Sequence, residues 1–122
     1  MSKKTAIFGA TTNPSRYAYL AAERLISHNH EIVPIGIKKG NIFGTSILDL
    51  REKPDIKAID TITMYIGPQN QAEWEEYILS LNPKRIIFNP GSENRSLAEK
   101  ASRRGIEVLN ACTLVMLGNG LF

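Results

Sequence analysis

A doubly wound α/β domain is the fold class this sequence predicts, on three observations. Short apolar runs rich in β-favouring residues alternate with stretches whose apolar residues recur at helical spacing. The runs are continuously apolar, the mark of strands buried on both faces of a parallel sheet. The chain has 122 residues, the length of one ordinary domain and about half that of an eightfold barrel. Right-handed crossovers then leave a Rossmann-like sheet of about five parallel strands with helices on both faces, forming a single domain over residues 1–122.

Each element has its own signal. Residues 5–8 read as the first strand, ended by Gly9. A helix follows, with Ala18, Ala21, Ala22, Leu25 and Ile26 on one face, closing near Asn29, a residue that tolerates the left-handed conformation after a helix. Residues 31–35 form the second strand, broken by Gly36. Residues 37–55 are looser, with an irregular turn at 41–44 and at most a short helix at 47–52. Residues 59–66 form the third strand, where Thr, Ile, Tyr and Met dominate. Gly67-Pro68 starts a helix with Pro68 near its first position and Trp74, Tyr77, Ile78 and Leu81 on its apolar face, ending at Asn82-Pro83. The acidic Glu73, Glu75 and Glu76 suit the start of that helix. A strand at 85–88, a helix at 93–103, a strand at 106–109 and a last helix at 111–117 complete the chain.

Composition excludes several roles. At 43% hydrophobic and 22% charged the chain lies in the range of soluble globular proteins. No apolar run approaches the ~18 residues of a membrane span. Met1-Ser2-Lys3-Lys4 leads into too few apolar residues for a secretory signal. One cysteine allows no internal disulfide, so a reducing, cytoplasmic setting is expected. The formal charge of +3 is spread over Lys3-Lys4, Lys38-Lys39, Lys84-Arg85 and Arg103-Arg104, which argues against a nucleic-acid partner and suits a small anionic ligand. The apolar stretch 114–122 suits packing either on the sheet or on a second subunit, so a protein partner or homo-oligomer stays open.

In open α/β sheets ligands bind beyond the carboxyl ends of the strands. Four turns occupy that edge: Gly9 to Tyr17, Gly36 to Lys39, Ile66-Gly67-Pro68, and Asn89 to Ser92. A strand feeding a helix through the first of these directs backbone N–H groups and a positive dipole end outward, which makes an anion site. Its sequence Gly9-Ala10-Thr11-Thr12-Asn13-Pro14 lacks the second glycine of the dinucleotide fingerprint, with Thr11 there instead, and has no P-loop lysine. Arg16 and Tyr17 lie in the helix's first turn, within reach of a phosphate or base. After the second strand, where NAD sites carry an acid for the ribose, this chain has Gly36-Ile37-Lys38-Lys39. Lysines there could pair with an extra ribose phosphate, pointing to NADP or to coenzyme A with its 3′-phosphate, although two lysines in a solvated loop look the same in sequence.

Catalytic and metal patterns are thin. Cys112 has no histidine near it in sequence, and His28 and His30 flank the amino end of the second strand. One cysteine with two histidines makes no zinc pattern. Asp60 begins the third strand at the wrong end of the sheet, and Glu93 suits a helix start better than a reaction. No catalytic or metal residue is assigned. A binding module without catalysis is expected; an NADP-binding reductase-like protein and an interaction module with a vestigial cleft are the alternatives.

Three motifs carry a resemblance to a known family: Gly9-Ala10-Thr11-Thr12-Asn13-Pro14-Ser15-Arg16-Tyr17, Asn89-Pro90-Gly91-Ser92-Glu93-Asn94, and the run 107–117 from Glu107-Val108-Leu109-Asn110 to Leu117. With these the chain resembles the small single-domain CoA-binding proteins, relatives of the CoA-binding domain of the succinyl-CoA synthetase alpha subunit. The resemblance implies non-covalent binding of CoA or acyl-CoA, with the nucleotide contacted by Gly9, Ala10, Thr11, Thr12, Asn13, Arg16 and Tyr17. The turn with Gly36, Lys38 and Lys39 would hold the adenosine end, and Ile66, Gly67, Pro90 and Gly91 would line the pantetheine side. Relatives often carry an Asn-Pro step after the second strand, where this chain has Gly36-Ile37. The phosphorylated histidine and second domain of the synthetases have no counterpart here.

Overall fold

A computed structural model describes residues 2–122. Its main sheet has six strands: β1 (Thr5–Phe8), β2 (Ile32–Gly36), β5 (Leu48–Asp49), β6 (Thr61–Met64), β7 (Arg85–Phe88) and β8 (Glu107–Asn110). They run in the order β5-β2-β1-β6-β7-β8, and every neighbouring pair is parallel. The chain builds outward from β1 in one direction through β2 and β5, then returns to the other side of β1 and builds through β6, β7 and β8. The order therefore reverses beside β1, the place where an open parallel sheet forms its ligand crevice.

Strand burial explains the all-parallel pairing. All four residues of β1, of β6 and of β7 are buried, so both faces of the sheet are covered. Side chains alternate between two cores. Ile7 joins Ala18, Ala22 and Leu25 of α1 (Tyr17–Ser27) and Leu117 of α4 (Thr113–Asn119) on one face. Ala6 and Phe8 join Tyr77, Ile78 and Leu79 of α2 (Glu75–Ser80) and Leu97 and Ala101 of α3 (Arg95–Arg103) on the other.

The structure differs from the sequence reading in four places. First, the loose stretch adds a sixth strand, β5, and a small antiparallel hairpin of β3 (Asn41–Ile42) and β4 (Thr45–Ser46), where only a turn and a short helix were expected. Second, the segment after Pro68 is two 3-10 turns, Pro68–Asn70 and Ala72–Trp74, before α2 begins at Glu75. Gln71, fully buried between those turns, draws the chain inward and interrupts a regular helix. Third, α3 starts after Glu93: Asn94 is its cap, accepting from the Leu97 N–H at 3.2 Å, while Glu93 accepts from the Gly91 N–H at 2.8 Å. Fourth, Ile26 is exposed rather than on the buried face of α1. Asn29 does adopt the left-handed conformation, with φ 66°.

Candidate functional site

The turn after β1 is held by its own polar atoms. The Gly9 and Ala10 N–H groups both donate to the Ile35 carbonyl of β2, at 2.9 and 3.0 Å. Thr11 Oγ1 accepts from the Asn13 N–H at 3.1 Å, and Asn13 Oδ1 accepts from the N–H and hydroxyl of Ser15 at 3.0 and 2.8 Å. The donors at Gly9 and Ala10, expected to face a ligand, thus serve the fold. Those of Thr11 and Thr12 have no protein partner among the described residues. Further on, α1 opens with Arg16 at its cap position, where a guanidinium has nothing to accept with and no side-chain cap forms. No acidic residue sits in its first turn. The Tyr17 and Ala18 N–H groups and the positive dipole end are left for an anion.

Two glycines make the close packing of this edge possible. Gly9 has φ 98°, a conformation other residues rarely adopt, and a Cβ there would press on Tyr65 and Ile66 at 3.3 Å. Gly36 ends β2 so close to the first turn that a Cβ would stand 2.7 Å from the Ala10 carbonyl oxygen.

Beyond the carboxyl ends of β2, β1, β6 and β7 lies a cleft of about 880 Å³, within the usual range for sites that hold a cofactor. The turn after β1 lines it with Gly9, Ala10, Thr11, Asn13, Arg16 and Tyr17. Gly36 and Lys38 come from the turn after β2, Ile66 and Gly67 from that after β6, and Pro90 from that after β7. Three expected residues fall outside the lining. Thr12 packs its methyl group against Gly40. Lys39 borders a small recess beside the cleft with Lys38 and Asp49. Gly91 is turned to Glu93.

Several lining residues escaped the sequence reading. Arg51 lies in the 3-10 turn Leu50–Glu52, next to β5, which pairs Asp49 with Gly36. Its Nε donates to Asp49 Oδ1 at 3.0 Å, and its Nη2 reaches Asp49 Oδ2 and the Ile37 carbonyl, each at 3.2 Å. These bonds hold the Asp49 carboxyl below the usual carboxylate range and keep the guanidinium charged. Asp49 also caps the turn by accepting from the Arg51 N–H at 2.9 Å. What sequence could not supply was the pairing of β5 with β2 that brings the arginine to the cleft.

Trp74 and Glu73 form the wall on the α2 side, and Tyr65 lines the α1 side. The Tyr65 hydroxyl is buried without a hydrogen-bond partner, and burial pushes its pKa up to about 12. It lies near the Thr63 and Thr113 hydroxyls, which bond one another at 2.8 Å. Asn89 stitches this region together: its Nδ2 donates to Thr63 Oγ1 at 2.8 Å and to the Met64 carbonyl at 3.0 Å, and its Oδ1 accepts from the Thr113 N–H at 2.8 Å. Cys112 is half-buried and outside the cleft lining, and no cluster of metal-ligating side chains occurs among the described residues. Among the described residues no helix is long and apolar enough to cross a membrane.

Residues 3–118 match the CoA binding domain family. The chain belongs to that family. A crystal structure of an uncharacterized protein is 56% identical, with a TM-score of 0.96, covering 100% of this chain and 99% of the other. More distant proteins share the fold: a hypothetical protein from Pyrococcus horikoshii OT3 (22% identity, TM-score 0.83, covering 98% of this chain and 84% of that one) and a protein from Thermus thermophilus (20%, 0.82, 99% and 91%). No curated protein matches. The matched span includes all three stretches at 9–17, 89–94 and 107–117.

Proposed function

We propose that this CoA-binding domain protein binds coenzyme A or an acyl-CoA without catalysing a reaction of its own. The observation that carries the reading is the convergence on one cleft of an uncapped α1 start, the free N–H group of Thr11, and three cations from separate segments, Arg16, Lys38 and Arg51. Phosphates would meet the Thr11–Tyr17 segment, where free N–H donors remain and no acidic residue stands in the first turn of α1. The adenosine end would lie by Gly36, Lys38 and Arg51, with Lys39 alongside. Two exposed apolar side chains at the cleft mouth, Tyr17 and Ile37, offer surface that a bound base would cover. The pantetheine arm would run along Ile66-Gly67 toward Pro90-Gly91, and Trp74 gives the wall an aromatic face. A binding and carrying or sensing role in the cytoplasm follows from this reading.

Thermal unfolding with CoA, acetyl-CoA, NADP and no ligand tests it. Ligand at 100 times its dissociation constant adds ~2.7 kcal/mol of stability. CoA or acetyl-CoA is expected to raise Tm more than NADP does. A larger shift with NADP would favour a reductase-like protein, and no shift with any nucleotide would overturn the proposal in favour of an interaction module.

A further inference from the structure

Gln71 is fully buried, and every polar atom of its side chain is engaged. Its Nε2 donates to the Ile66 carbonyl in the turn after β6 and to the Ser92 carbonyl in the turn after β7, both at 2.7 Å. Its Oε1 accepts from Asn94 Nδ2 at 2.9 Å. One side chain thus ties together two loops that no strand pairing joins beyond Met64 and Phe88. Both loops contribute to one wall of the cleft, through Ile66 and Gly67 on one side and Pro90 on the other.

A second layer holds the clamp. Asn94 also donates to Glu75 Oε2 at 3.2 Å, and Glu75 Oε1 accepts from Ser96 at 3.2 Å and from Lys100 at 2.9 Å. Burial would raise the Glu75 pKa, but Lys100, Asn94 and Ser96 together hold it low, so the carboxylate stays charged. The chain of bonds runs from the cleft wall through Gln71 and Asn94 to a charged pair anchored on α2 and α3. None of these groups touches the cleft except through the loops they fix.

We infer that Gln71 is a positioning residue that sets the spacing of the β6 and β7 loops, and with it the fit of the ligand's pantetheine arm. The inference rests on the CoA reading above and adds to it which internal residue sets affinity at the thiol end. A neutral amide is required: it must donate twice and accept once, which neither a carboxylate nor an apolar group of similar length can do. Without it the two carbonyls lose their buried partner and the loops relax apart.

The test compares two ligands on the full chain by titration calorimetry: CoA, and 3′-phosphoadenosine diphosphate, which lacks the arm. Gln71→Met keeps the length of the side chain and removes its hydrogen bonds. We expect CoA affinity to fall roughly tenfold, as loss of a buried hydrogen bond predicts, while affinity for the armless ligand stays within about twofold. Gln71→Asn keeps an amide too short to span both carbonyls and takes its place if the methionine variant does not fold. An equal loss for both ligands, or no loss for CoA, overturns the inference. Wild-type protein that binds neither ligand overturns the functional reading itself, and with it this one.

Discussion

Replacing Gly36 with alanine isolates the contact on which the cleft edge depends. The added methyl group would stand 2.7 Å from the Ala10 carbonyl oxygen and 3.4 Å from Ile47 Cγ2. The first is a collision with backbone, so no rotamer change relieves it. The turn after β1 must move away from β2, which strains the two bonds from Gly9 and Ala10 to the Ile35 carbonyl. Forcing a methyl group into such a place costs about 1–3 kcal/mol. For a domain of this size that lowers Tm by roughly 4–12 °C. Because the displaced turn carries Thr11 and Asn13, CoA affinity should fall as well. Gly118→Ala is the matched control. Gly118 lies in α4, exposed, with nothing within 4 Å of a Cβ, so alanine should stabilise by ~0.5–1 kcal/mol through backbone entropy. Urea denaturation of both variants reads opposite signs from the same chemical change. A Gly36→Ala midpoint equal to wild type would refute the close approach of β2 and the first turn.

Further perturbations test other parts of the site. Thr11→Asp places a carboxylate where phosphates are proposed and should weaken CoA binding tenfold or more with Tm nearly unchanged, as measured by calorimetry. Arg51→Leu should weaken CoA by roughly tenfold and dephospho-CoA by less; equal losses would move Arg51 away from the ribose phosphate. Tyr65→Phe removes a buried hydroxyl without a partner and should raise stability by up to ~1 kcal/mol in urea denaturation, whereas a loss would reveal a bond to that hydroxyl. His30 is held below 6.5 by burial first and then by Lys3, and its Nδ1 accepts the Lys3 N–H at 2.9 Å. Its contribution is therefore complete above pH 6.5 and is lost as pH falls toward the lower folded-state value, so His30→Gln should flatten the Tm profile below pH 6.5.

The first turn and Arg51 show how far the site was legible. Gly9 to Tyr17 announces a strand, a turn and a helix start in consecutive residues, and local chemistry decides most of that geometry. The destination of its N–H groups was not local: Ile35, on a neighbouring strand, takes those of Gly9 and Ala10. Arg51 was invisible for a similar reason, since a two-residue strand such as Leu48–Asp49 has no periodicity to detect and forms only because β2 offers it an open edge. Gln71 falls within the stretch after Pro68 that reads as a helix, and no local pattern singles it out. Its burial depends on two carbonyls from separate loops, the farther of which lies 21 residues along the chain from Gln71.

By itself the sequence determined the alternation of strands and helices, the parallel and doubly covered sheet, the carboxyl-edge turns and the family. These follow from hydrophobic runs, glycine and proline positions and short motifs, all of which act over a few residues. Tertiary structure alone decided the sixth strand, the presence of Arg51 in the cleft beside Arg16 and Lys38, the burial of the Gln71 amide between two loops and the choice of which first-turn donors stay free. Each of those depends on which segments lie side by side, and strand order across a sheet is set by packing between distant parts of the chain rather than by any local signal.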